Sequence, residues 1–164
     1  MTMREAFGRS VNTVFGKLGL FYVGPAALLE YAERYRFNHA INADIPVQTG
    51  YVRITADDYW SVVTTASGFT RDNTMSPVQG AMIAAAVAND GVMMEPYIVN
   101  SLTDDKGDIV YQVEPRRAAV TIEPRSAVEL RSLMSETIRN GTSRKSFRQI
   151  VRSKNILEGA EIGG

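Results

Sequence analysis

The sequence predicts a mainly α-helical fold of about six helices and one β-hairpin. Three observations carry that expectation. Apolar residues recur at helical spacing, as at Val11, Val14, Phe15 and Leu18. Helix-start signals punctuate the chain at Thr2-Met3-Arg4-Glu5, Gly24-Pro25, Ser76-Pro77 and Pro124. The main strand-like runs flank one turn sequence, Asp104-Asp105-Lys106-Gly107.

The elements follow in order. Thr2 and Glu5 form a capping box that opens a short helix, which Gly8 ends. A second helix runs from Val11 to Gly19, with Gly19 as its stop. Ser10 and Asn12 therefore lie at a helix-to-helix junction, where Ser10 is placed to cap the second helix. Pro25 starts a third helix with the stripe Leu28, Leu29, Ala32 and Tyr35. Phe37 to Thr55 has no period and reads as a long surface loop. Thr55 caps a helix reaching about Ser67, with Trp60, Val63 and Thr64 on one face and Asp57 and Asp58 in its first turn.

Ser76-Pro77 opens a helix rich in alanine that is expected to pack on all sides, and Asn89-Asp90-Gly91 closes it. Strands at Tyr97–Thr103 and Asp108–Val113 form the hairpin, and a brief strand is expected at Ala119–Ile122. Pro124 opens the last long helix, with Val128, Leu130, Leu133, Met134, Thr137 and Ile138 on its apolar face and Asn140-Gly141 at its end. One more helix is expected from Thr142 to Val151.

Composition narrows the chemistry. The chain has no cysteine and one histidine, so disulfide, thiolate and His/Cys zinc chemistry are excluded. That histidine, His39, sits in the polar loop and reads as a surface residue rather than a triad base. Net charge is zero but unevenly spread: Leu28–Glu114 holds 12 acidic and 5 basic residues, and Pro115–Lys154 holds 3 acidic and 10 basic. The basic residues follow helical spacing with no interleaved aromatic beyond Phe147, which favours a solvated face over a nucleic-acid surface. No run of about 18 apolar residues is present.

Ser10-Val11-Asn12 is the candidate catalytic element. Acyl transfer by an active serine needs a nucleophile, a base, oxyanion donors and groups that hold the substrate amide. A Ser-x-Asn turn carries a hydroxyl and a carboxamide two residues apart, but alone it is a common pattern. Its surroundings make it specific. Thr74-Met75-Ser76-Pro77-Val78-Gln79, then an alanine-rich helix, then Ala88-Asn89-Asp90-Gly91 and Glu95-Pro96-Tyr97, follow it in order. The hairpin, the helix ending Asn140-Gly141-Thr142 and the glycines Gly163-Gly164 complete the series.

In this order and rough spacing the chain resembles the transpeptidase domain of penicillin-binding proteins. The resemblance covers nearly the whole sequence. It implies a single partial domain over 1–164, the helical part of that fold, lying between the family's S-x-x-K and K-T-G motifs. No serine is followed three residues later by lysine, and no K-T-G or K-S-G occurs; Thr142-Ser143-Arg144-Lys145 is a near miss. Ser76-Pro77 stands where the family has threonine before proline, and Phe69 takes an often polar position.

By resemblance, Ser10 relays a proton to the leaving nitrogen and Asn12 binds the substrate's acyl-amide. The parent protein is then a D,D-transpeptidase that crosslinks peptidoglycan stem peptides through an acyl-serine, is inhibited by β-lactams, and needs no cofactor or metal. It is expected to be membrane-anchored at the extracytoplasmic face and to bind no nucleic acid. The isolated chain is expected to be inactive and to expose an apolar face capable of self-association. The competing readings are a non-catalytic helical interaction module and a nucleic-acid-binding module with a basic C-terminal part.

Overall fold

A computed structural model describes residues 1–147 and 162–163. Its helices are α1 (Met3–Gly8), α2 (Asn12–Leu18), α3 (Gly24–Arg34), α4 (Tyr59–Ala66), α5 (Pro77–Ala88) and α6 (Pro124–Arg139), with a π-helical turn at Gly19–Val23. Its strands are β1 (Val92–Met94), β2 (Ser101–Thr103), β3 (Ile109–Gln112) and β4 (Arg117–Val120). The mainly helical expectation holds. The helix expected at Thr142–Val151 runs into residues outside those described.

Most start signals act as read. The Glu5 amide donates to Thr2 Oγ1 at 3.2 Å, and the Thr2 amide donates to Glu5 Oε2 at 2.8 Å. That backbone bond to Thr2, then its hydroxyl, holds the Glu5 carboxyl below the usual range. Ser76 Oγ accepts from the Gln79 amide with Pro77 in the first turn of α5. Helix α4 starts later than expected: Asp58, not Thr55, is the cap, accepting from the Trp60 amide at 2.9 Å.

Gly19 is not a stop. It keeps helical angles and continues into the π-turn, because a Cβ there would stand 2.2 Å from Ala66 Cβ of α4. Glycine at 19 thus serves helix contact. The break falls at Gly24, whose φ is 80°.

The sheets differ from expectation. Beside the hairpin β2–β3 lies a second antiparallel pair, β1–β4, and β1 had no alternating pattern to reveal it. Met93, fully buried at its centre, packs with Met82 and Ala86 of α5 as the main core, flanked by Tyr35, Ile41 and Ile83. Gly91 permits this turn: at φ 86° its carbonyl takes both the Thr121 amide and hydroxyl, and a Cβ would strike the Ile122 carbonyl at 2.0 Å. Arg131 of α6 caps the end of α5, donating to the Val87 carbonyl at 2.8 Å and to Asp90 Oδ1 at 2.9 Å. Helix α5 is not packed on all sides; Val78, Ala81, Ala84 and Ala85 are exposed.

The hairpin is shorter than expected at its start. The amides of Ile98 and Val99 are held by Asp44 Oδ2 at 2.6 and 2.9 Å instead of by a strand partner. Those two bonds keep the Asp44 carboxyl ionised below the usual aspartate range. Anchorage of the hairpin is therefore complete above that range and is lost as pH falls through the lowered value. Hydrogen-exchange protection of Ile98 and Val99 is expected to collapse on acidification before that of the α5 amides. Equal loss in both places would refute the anchor.

Candidate functional site

Helix α1 ends in a Schellman motif centred on Ser10. The Ser10 amide donates to the Phe7 carbonyl at 3.0 Å and the Val11 amide to the Ala6 carbonyl at 3.0 Å. This geometry puts Ser10 at φ 52°, in the left-handed region that glycine adopts most easily. The cap of α2 is Val11, which has no side-chain acceptor to offer. Ser10 is thus not the N-cap that its position suggests. Among the described residues its hydroxyl has no hydrogen-bond partner, and neither has the Asn12 carboxamide. Both residues are exposed, at the junction where the sequence places them.

Two local rules are broken within three residues: a serine stands where glycine is easiest, and a helix starts uncapped. Each costs about 1 kcal/mol. Such departures gather where a side chain serves something other than the fold. Arg36 and Asp90 also take positive φ at helix ends, so the conformation alone is not diagnostic. Asp90, however, is engaged by Arg131. Ser10 differs in presenting an exposed, unbonded hydroxyl beside an equally free carboxamide.

The junction is braced. Phe7 of α1 meets Phe15 of α2 edge to face, with centroids 6.1 Å apart, a contact worth about 1 kcal/mol. The Thr142 amide, just past α6, donates to the Gly8 carbonyl at 3.0 Å. Arg4 reaches Ser132 Oγ at 2.9 Å, further tying α1 to α6. Gly163 lies on α6 as well, where a Cβ would stand 2.9 Å from Met134 Cβ; Gly164 lies outside the described residues.

The other features of the series are scaffold. Gln79 is fully buried and donates to the Tyr35 carbonyl at 3.3 Å. Thr74 pairs through its backbone with Tyr51. His39 is exposed, as read. Trp60 is not a core residue: it is 69 % exposed while Val62 and Thr64 of the same helix are buried. A second match to Ser-x-Asn, Ser153-Lys154-Asn155, escaped the sequence reading and falls outside the described residues. Among the described residues no cluster of His, Asp and Glu could hold a metal, and no helix is long and apolar enough to cross a membrane.

The site is thus a helical scaffold that presents Ser10 and Asn12 at a strained, solvent-facing junction. The family model of the penicillin-binding protein transpeptidase domain matches residues 1–154, and the chain belongs to that family. The peptidoglycan D,D-transpeptidase PbpA of Mycolicibacterium smegmatis is 28 % identical over 99 % of this chain and 30 % of its own length. PbpA of Mycobacterium tuberculosis is 32 % identical over 82 % of the chain and 27 % of its own length. The chain thus spans about a third or less of these curated relatives.

The solved structure of penicillin-binding protein A from M. tuberculosis, as its imipenem acyl-enzyme, superposes with a TM-score of 0.83 at 25 % identity, over 99 % of this chain and 35 % of that one. The D,D-transpeptidase domain of an Eggerthella lenta peptidoglycan glycosyltransferase superposes at 0.81 and 25 % identity, over 100 % and 40 %.

Proposed function

We propose that the full-length protein containing this chain is a peptidoglycan D,D-transpeptidase, with this chain supplying the helical part of its catalytic domain. The observation that carries the reading is the unbonded Ser10 hydroxyl at φ 52° beside the free Asn12 carboxamide. The D,D-transpeptidases to which the chain is similar, and the acyl-enzyme complexes among its structural neighbours, support it.

In this mechanism the nucleophilic serine belongs to an S-x-x-K segment that this sequence does not contain. Its oxygen attacks the carbonyl of a D-alanyl-D-alanine stem peptide, and the C–N bond breaks. The lysine of that segment takes the serine proton and Ser10 relays it to the departing amine; when the acceptor amine attacks the acyl-serine, Ser10 carries its proton back toward the serine oxygen as the acyl C–O bond breaks. Asn12 holds the acyl-amide of the donor, donating through its NH2 and accepting through its carbonyl. A β-lactam acylates the same serine through its strained amide.

We further propose an extracytoplasmic, membrane-anchored parent. Exposed Phe21, Tyr22, Tyr59, Trp60 and Phe69 favour burial against the rest of the domain, and self-association when this chain is alone.

A fluorescent penicillin tests the reading. The full-length protein is expected to give a covalent band that survives denaturation, and the 164-residue chain none. An unlabelled, folded full-length protein would overturn it.

A further inference from the structure

The Gly8 peptide joins the scaffold to Ser10. The last three carbonyls of α1 are all taken: Ala6 by the Val11 amide, Phe7 by the Ser10 amide, and Gly8 by the Thr142 amide. The first two bonds are local and set the left-handed turn. The third alone reaches outside the junction; among the described residues it is the one long-range hydrogen bond to residues 6 through 13. It fixes the plane of the Gly8–Arg9 peptide, two residues before Ser10, and so the direction in which the turn presents the hydroxyl.

The fit at this point is close. A Cβ on Gly141 would lie 1.9 Å from the Gly8 carbonyl oxygen, and one on Gly8 would lie 2.9 Å from Glu136 Cγ. The corner after α6 is itself held: Asn140 Nδ2 donates to Glu136 Oε1 at 2.7 Å, and the Ser143 amide donates to the Thr137 carbonyl at 3.1 Å. Only glycine at 141 lets the Thr142 amide come within reach of Gly8.

We propose that Gly141, with the Thr142 amide, is a positioning element for Ser10, acting through the Gly8 peptide; this rests on the function proposed above for Ser10. A Cβ at 141 must push the Gly8 peptide away and swing the hydroxyl off its proton-transfer line. Misplacement by about 1 Å costs on the order of 100-fold in rate.

The test is a double-mutant cycle on the full-length protein, reading the rate of acylation by a fluorescent penicillin and its pH profile. Gly141→Ala is expected to slow acylation about 100-fold, with the pH profile of Ser10→Ala. Adding Gly141→Ala to Ser10→Ala is expected to cost nothing more, because there is no hydroxyl left to misplace. Losses that multiply would overturn the clamp while leaving the function intact. A Ser10→Ala protein that acylates at the normal rate would overturn the proposed function, and the clamp with it. Should Gly141→Ala not fold, Asn140→Ala decides. It loosens the same corner without adding atoms. Its smaller loss must vanish on the Ser10→Ala background, and a persistent loss refutes the clamp.

Discussion

Replacing Ser10 by glycine is expected to stabilise the folded protein by about 1 kcal/mol while slowing acyl transfer by a factor of about 100 to 10,000. The stability gain follows from φ 52°, a conformation glycine adopts without the Cβ clash that serine carries. The rate loss follows from removal of the proton relay. Ser10→Ala separates the two effects. It keeps the strain and removes only an exposed hydroxyl with no intrachain partner, so its melting temperature is expected to match that of the native protein while its rate falls as far as that of the glycine variant. Were Ser10 simply a helix cap, Ser10→Ala would instead cost about 1 kcal/mol and leave the rate alone. Thermal melting and penicillin acylation on the same preparations distinguish the cases.

Gly50→Ala is expected to destabilise the fold by about 3 kcal/mol, seen as a lower urea midpoint with unchanged slope. An added Cβ would stand 2.1 Å from Gln79 Oε1 and 3.0 Å from the Thr74 carbonyl. Gln79 is fully buried and its amide is tied to the Tyr35 carbonyl, so withdrawal of its side chain would strain or break that bond. Among the described residues its buried Oε1 has no hydrogen-bond donor. Gln79→Ala on the Gly50→Ala background is expected to recover part of the loss, because the collision disappears with the side chain. A double variant no more stable than the sum of the single losses predicts would place the cost of Gly50→Ala elsewhere.

Local chemistry was the legible part of this molecule. The Thr2–Glu5 box, the Ser76-Pro77 start and the Asp104 turn each involve residues within a few positions of one another, so spacing alone reveals them. Apart from the α4 cap, which moved from Thr55 to Asp58, the misreadings below came where a distant neighbour decided. Gly19 looked like a stop because nothing local says that Ala66 will press against it. Spacing put Trp60 on one face with Val63 and Thr64, and helical spacing cannot tell which face of α4 finds a partner. Strand β1 was invisible, since three residues are too few for a period and its pairing with Arg117–Val120 spans the hairpin between them. The Tyr97–Thr103 strand was overlong because Asp44, more than fifty residues upstream, takes two of its amides.

The candidate site divides in the same way. Sequence alone determined which residue types stand there: Ser10 and Asn12 two apart, between helices, within a family series running to Gly163. Identity and order are properties of the chain and need no folding to be read. Only the tertiary structure decided what Ser10 does to the backbone. Capping α2 and closing α1 with positive φ are both consistent with a serine between two helices; the folded chain takes the second, with the Ala6 and Phe7 carbonyls making the turn and the Gly8 carbonyl's donor fixing its direction. The last of those donors, the Thr142 amide, arrives from across the fold. A hydrogen bond between residues so far apart in sequence is set by packing of α1 on α6, and no local pattern encodes it.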